Sequence, residues 1–155
     1  MSSPPPGAGG GAGPRRRAID ALVGLTIRLG IAPKRFHILT VRGWKSGRPS
    51  SIPVIVHAQS GERWLVAPYG ERMWVRNARA AGEVTLRRGR RQETAAVEEV
   101  GPAEAGPVLK QYLRETPITR GFFPITADAP LEDFVREAPG HPVFRIARLR
   151  RRPGG

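Results

Sequence analysis

Between Leu39 and Asn77 the chain gathers the residue types that hold an acidic small molecule. Arg42-Gly-Trp-Lys-Ser-Gly-Arg-Pro49 places glycines at 43 and 47, which admit positive φ and expose consecutive backbone N–H groups. Beside them, Lys45, Arg48 and the Ser46 hydroxyl are charge-assisted or polar donors for phosphate oxygens. Taken alone, such a turn equally describes a solvated hairpin loop, where the same residues are common. Further on, a strand ends at Ala67-Pro68-Tyr69, where backbone N–H groups can meet a flat, pyrimidine-like edge. Trp74 and Asn77 stand three residues apart, on one face of a following helix. They offer an indole to pack and an amide to hydrogen-bond a ring edge, or equally a core tryptophan and a surface amide.

Nothing in the sequence supplies a protein nucleophile with its base. A Gly-x-Ser-x-Gly elbow is missing, and the acidic residues fall mainly toward the C-terminal helices. Zero cysteines exclude disulfides, thiolate catalysis and thiolate-bound metals. His37, His57 and His141 are far apart, lack metal-ligand spacing and read as structural, so no metal site is expected. Lys45-Ser46 lacks the preceding glycine of a P-loop, and a relaxed dinucleotide pattern at Gly7-Ala-Gly9 with Ala12 lies in a Gly/Pro-rich tail. The chemistry therefore belongs to a cofactor, with the protein supplying orientation and electrostatics.

The formal charge of +13 is regional. Residues 34–91 hold 13 basic against 3 acidic residues, whereas residues 92–147 hold 5 against 9. The positive half thus coincides with the glycine turn. An aromatic-interleaved sheet pattern is absent, which argues against a nucleic-acid-binding module. Arg15-Arg-Arg17 precedes an apolar stripe, which fits weak peripheral contact with an anionic membrane face. No run of about 20 apolar residues is present, and the expectation is a cytoplasmic protein, with that contact at the inner membrane face.

These residues need a frame to position them, and the length suits one domain. Residues 1–14, almost entirely Ser, Pro, Gly and Ala, read as a disordered tail; residues 15–149 form the domain, and 150–155 a basic tail. Spacings of 4, 3 and 4 at Ala18, Leu22, Leu25 and Leu29 predict an amphipathic helix over 15–29. Alternating or β-branched runs predict strands over 36–42, 51–58 and 63–67, with Pro53 at an edge or bulge. Residues 71–81 read as a helix stopped by Gly82, 84–88 and 92–100 as a hairpin. Two more helices follow, over 102–114, with a start as late as Pro107 allowed, and over 131–137; a last strand covers 142–149. Mostly antiparallel strands with few helices indicate a mainly β protein with peripheral helices, a closed or partly closed barrel.

The ordered set Arg42 to Pro49, Pro53-Val54, Leu65-Val-Ala-Pro68 and Trp74-Val-Arg-Asn77 resembles the deazaflavin (F420)-dependent nitroreductase and quinone reductase family. The likeness is good over about residues 36–90 and extends loosely to His141-Pro-Val-Phe144. The chain departs from the usual pattern at Trp44 and Ser50, where the family more often has a basic residue. The resemblance implies a split β-barrel like that of FMN-binding proteins and an oxidoreductase using coenzyme F420, an 8-hydroxy-5-deazaflavin with a phosphodiester and a glutamate tail. Hydride would pass to a small electron-poor acceptor such as a quinone, nitroaromatic or enone; FMN is the alternative cofactor. On this reading Lys45, Ser46 and Arg48 hold the phosphate and tail. Pro53, Val54, Ala67, Pro68, Tyr69 and Asn77 line the ring, and Trp74 packs behind it. Tyr69 and Tyr112 are the candidate catalytic residues, and Tyr112, Phe122 and Phe123 cover the acceptor side. A monomer or homodimer is expected.

Overall fold

The computed structural model describes residues 35–147; the expected helix over 15–29 and the two tails lie outside them. Six antiparallel strands close a barrel: β1 (Phe36–Arg42), β2 (Pro49–Gln59), β3 (Glu62–Val66), β4 (Glu83–Arg88), β5 (Arg91–Glu99) and β6 (Val143–Ile146). Their order around the barrel is β1-β2-β3-β6-β5-β4. Helix α1 (Met73–Ala81) lies between β3 and β4, while α2 (Pro102–Glu115) and α3 (Leu131–Glu137) lie between β5 and β6. The architecture is the mainly β barrel with peripheral helices that the patterning indicated. None of the described helices is long and apolar enough to cross a membrane.

Alternation along the strands builds two cores, one on each face of the barrel wall. Leu39, Val41, Val56, Leu65, Val84, Leu86, Ala95, Phe144 and Ile146 pack inside, where Val75 and Ala78 of α1 join them. Burying each large aliphatic side chain contributes about 1.5–3 kcal/mol. Outside, Trp64, Val66 and Val143 of β3 and β6 meet Leu109, Tyr112 and Leu113 of α2 and Phe134 of α3.

Local boundaries differ from the sequence reading where a neighbour overrides the pattern. Helix α1 begins at Met73, after Arg72, so Glu71 precedes the helix instead of lying in its first turn. Its carboxylate instead binds Arg79 Nη1 at 2.6 Å. Gly82 ends the helix at φ 71°, donating its N–H to the Ala78 carbonyl at 2.8 Å, the left-handed stop glycine provides. Helix α2 begins at Pro102 and carries Pro107 inside it, so the late start is not taken. Gly106 accounts for the tight fit there: a Cβ on it would lie 2.6 Å from Val135 Cγ2 of α3. The last strand is confined to Val143–Ile146.

Candidate functional site

Strand β2 uses two partners in turn. Residues 49–55 pair with β1, and residues 56–59 pair with β3. The Val56 N–H donates to the Arg35 carbonyl at 2.7 Å. Alternation then turns residues 54 and 52 toward β1 and points the Pro53 nitrogen to the opposite flank. On that flank the β3 ladder has already ended, at Val56 with Leu65. The next register positions, Ile55 with Val66, Val54 with Ala67 and Pro53 with Pro68, are unpaired, and the Ala67 N–H, turned toward the β6 side, donates to the Pro142 carbonyl at 2.9 Å. A proline on each side removes donors that would extend the ladder. The barrel wall therefore splits between β2 and the turn 67–70, and Pro53 lies at a local edge, as its missing N–H requires.

The glycine turn follows β1. Its Gly43 N–H donates to the Arg48 carbonyl at 2.8 Å, and the Gly47 N–H to the Gly43 carbonyl at 2.9 Å. Gly47 takes φ 71°, which favours glycine, whereas Gly43 does not take the positive φ that the sequence allowed; a Cβ there would lie 2.6 Å from Ser46 Oγ, which can rotate away, and 3.2 Å from the Arg48 carbonyl. Ser46 Oγ accepts the Arg48 N–H at 3.2 Å, which leaves the hydroxyl proton to donate outward. Lys45 and Arg48 are exposed, and neither has an acidic partner among the described residues. The Lys45 ammonium stands 4.8 Å over the half-exposed Trp44 ring. Asn77 fastens the turn to α1, since its Oδ1 accepts the Trp44 N–H at 3.0 Å. Asn77 is 3% exposed. The sequence reading gave this amide a ring edge to bind; the structure spends its oxygen on the turn.

Around the split, the expected residues divide. Tyr69 is exposed and meets Phe122 edge-on, with ring centroids 4.3 Å apart, while the Arg72 guanidinium lies 5.6 Å from the Tyr69 ring. Trp74 is half-buried against Phe144 at 5.9 Å, within the barrel core. Tyr112 does not reach this surface. On α2 it is 2% exposed, its hydroxyl engages Thr119, and burial pushes the phenol up to about 12. Hydrophobic spacing on α2 turned it inward with Leu109 and Leu113. Phe123 is likewise buried, stacked on His141 at 4.1 Å, so only Phe122 of the three expected covering residues lies beside Tyr69.

His141 was read as structural, and no local signal ties it to the split. Its Nδ1 lies 3.1 Å from the Pro68 carbonyl and its Nε2 3.7 Å from Glu137 Oε2. Burial holds its pKa below the ordinary value, opposed by the Pro68 carbonyl and by Glu137.

The family model described as F420H(2)-dependent quinone reductase matches residues 15–119. No curated protein sequence matches the chain. Among solved structures, an F420-H2 dependent reductase (FDR-A) is 19% identical at TM-score 0.52, over 74% of this chain and 95% of that one. A barrel described as a domain-swapped dimer is 17% identical at TM-score 0.56, over 86% and 96%. A NimC/NimA family protein from Clostridium acetobutylicum is 12% identical at TM-score 0.51, over 77% and 74%. At these identities the structures share the split-barrel fold; the matched family model speaks to more. Matched over about two thirds of its length, with a split barrel wall beside a cationic glycine turn, the chain belongs to the F420H(2)-dependent quinone reductase family and is an oxidoreductase that uses coenzyme F420.

Proposed function

We propose that the coenzyme lies in the split between β2 and the turn 67–70, and that the acceptor is an electron-poor quinone, nitroaromatic or enone received beside Tyr69 and Phe122. The donor set suits the coenzyme. Lys45 and Arg48 carry charge without acidic partners among the described residues, which fits a phosphodiester and a glutamate tail, and Ser46 adds a hydroxyl donor. The unextended ladder between residues 53–55 of β2 and residues 66–68, with the flat faces of Pro53 and Pro68, suits a planar ring. Bound there, the reduced coenzyme supplies the hydride.

The chain itself orients and holds. Asn77 keeps the glycine turn against α1, Trp74 fills the barrel behind the split, and His141 pins the Pro68 carbonyl. Tyr69 contributes a face for the acceptor rather than a proton relay, since its neighbours are the Phe122 ring and the Arg72 guanidinium. The single observation that carries the assignment is that the β2–β3 ladder stops at Val56 with Leu65, short of Pro53, Val54, Ala67 and Pro68, which the family resemblance assigns to the ring.

Changing Lys45 and Arg48 together to Ala tests it. Coenzyme binding, followed by tryptophan fluorescence, is expected to weaken by about 2–4 kcal/mol, from roughly 1.5–3 for each charged hydrogen bond with incomplete additivity. Equal affinity in the parent and the double variant would sink the assignment.

A further inference from the structure

Helix α2 does not close its own end. Its C-cap, Thr116, takes φ −129° and ψ 69° instead of the left-handed conformation in which Gly82 closes α1. A helix leaves the carbonyls of its last turn without intrahelical donors, and here two arginines from outside the helix supply them. Arg35, just before β1, donates Nη1 to the Glu115 carbonyl at 3.0 Å and Nη2 to Thr116 Oγ1 at 2.9 Å. Arg120 donates Nε to the Leu113 carbonyl and Nη2 to the Arg114 carbonyl, both at 3.3 Å. Both guanidinium groups also stand at the negative end of the helix dipole, where a cation is favoured.

Arg120 belongs to the segment that this helix end feeds, a short 3₁₀ helix over Pro117–Phe122. By bonding back to α2 it folds that segment over the helix end, two positions before Phe122. The entry is sealed: Thr116 and Thr119 are buried, and the Thr116 carbonyl accepts the Thr119 N–H at 3.1 Å and the Thr119 hydroxyl at 2.8 Å. At the exit the Arg120 carbonyl accepts the Phe123 N–H at 3.2 Å, and Phe123 is stacked on His141. Arg120 thus joins α2, through its side chain, to Phe123, through its backbone. Phe122 lies between these fixed points, half-exposed, with its ring 4.3 Å from that of Tyr69. An exposed aromatic pair has little packing of its own, so the geometry of the pair depends on the backbone that presents it.

We propose that Arg35 and Arg120 are positioning residues for the acceptor: by closing the end of α2 they fix the segment 117–122 and so set Phe122 against Tyr69. The inference rests on the acceptor site beside Tyr69 and Phe122 proposed above. The bonds of both arginines go to α2 and its C-cap, away from the split, so their loss separates the acceptor from the coenzyme.

The test uses the full chain, with menadione, a quinone, as the acceptor probe. Arg120→Met keeps the aliphatic stem and removes the donors; it should raise KM for menadione about fivefold, the scale of one lost hydrogen bond. Affinity for coenzyme F420, followed by tryptophan fluorescence, should stay within about twofold, as for sites that share no partner. Arg120→Lys should recover part of the KM, and Arg35→Met should raise it in the same direction. With no acceptor present, the nuclear Overhauser contact between the Tyr69 and Phe122 rings should weaken in Arg120→Met and return in Arg120→Lys. A cap that only stabilises the helix would lower the melting temperature and leave both KM and the ring contact as in the parent, and that result overturns the proposal. So does a coenzyme affinity that falls as far as the acceptor KM rises. Phe122→Ala tests the underlying site separately: if it has the parent's KM for menadione, the acceptor site itself is overturned, and the proposal with it.

Discussion

His141 reaches across 73 positions to place its Nδ1 3.1 Å from the Pro68 carbonyl. A carbonyl only accepts, so Nδ1 carries the proton and Nε2 faces Glu137. The ring is stacked on Phe123, whose neighbour Phe122 meets Tyr69. One buried side chain therefore ties together the two aromatics beside the split and the strand end that forms its wall.

That contact predicts a difference between two amide replacements. In Asn the terminal nitrogen falls near the position of Nδ1, while in Gln it falls near Nε2. His141→Asn should keep coenzyme affinity close to the parent, and His141→Gln should weaken it by about 1–2 kcal/mol, the scale of one lost hydrogen bond with its acceptor left buried. The pH dependence has a definite sign. A native pKa below the ordinary 6.5 means that the unfolded chain takes up the proton first. The contribution is complete above that value and is lost as pH falls toward the native pKa. Thermal melts from pH 7.5 downward should show falling stability below about pH 6.5, and a shallower fall in His141→Asn, with His37 retaining a share of the same sign. An unchanged slope in His141→Asn would refute the assignment.

Trp44 and Asn77 give opposite expectations for one turn. Asn77→Ala removes the acceptor of the part-buried Trp44 N–H, and chemical denaturation should show a loss of about 0.5–1.5 kcal/mol, together with weaker coenzyme binding. Asn77→Asp, which keeps the accepting oxygen, should lose less. Trp44 is half exposed, so Trp44→Arg removes little packing and adds a cation beside Lys45. It should tighten binding of the acidic coenzyme by about 0.5–1.5 kcal/mol. Weaker binding would show instead that the indole packs on the coenzyme.

At the α2–α3 contact, Gly106→Ala sets helix propensity against packing. Propensity favours Ala by about 1 kcal/mol, yet the new Cβ would stand 2.6 Å from Val135 Cγ2 and 3.3 Å from the Val135 nitrogen. Because backbone as well as side chain is in the way, overpacking should win, with a net loss of about 1–3 kcal/mol. Val135→Ala in the same chain should restore only part of it. A Gly106→Ala variant more stable than the parent would show that the helices separate freely.

Local order in the chain was enough to determine the strands, the meander, the glycine turn and the stop at Gly82, because each depends on neighbours within a few residues: period-two alternation, positive φ at glycine, a left-handed helix end. The resemblance is readable because the residues that carry it, from Arg42 to Asn77, follow one another along four adjoining elements, β1, β2, β3 and α1. What tertiary structure alone decided was pairing at a distance. Nothing local makes β2 exchange β1 for β3 midway, yet that exchange sets Pro53 against Pro68 and Val54 against Ala67 as the edges of an open split. Nor does spacing decide which way an amphipathic residue faces when both sides of a wall are packed. Tyr112 joined the outer core, Asn77 turned in to hold Trp44, and His141, 73 residues beyond Pro68, became its hydrogen-bond donor. These outcomes depend on closing the barrel, which brings β3 against β6 and β1 against β4, and no pattern within one segment encodes the partner that closure supplies.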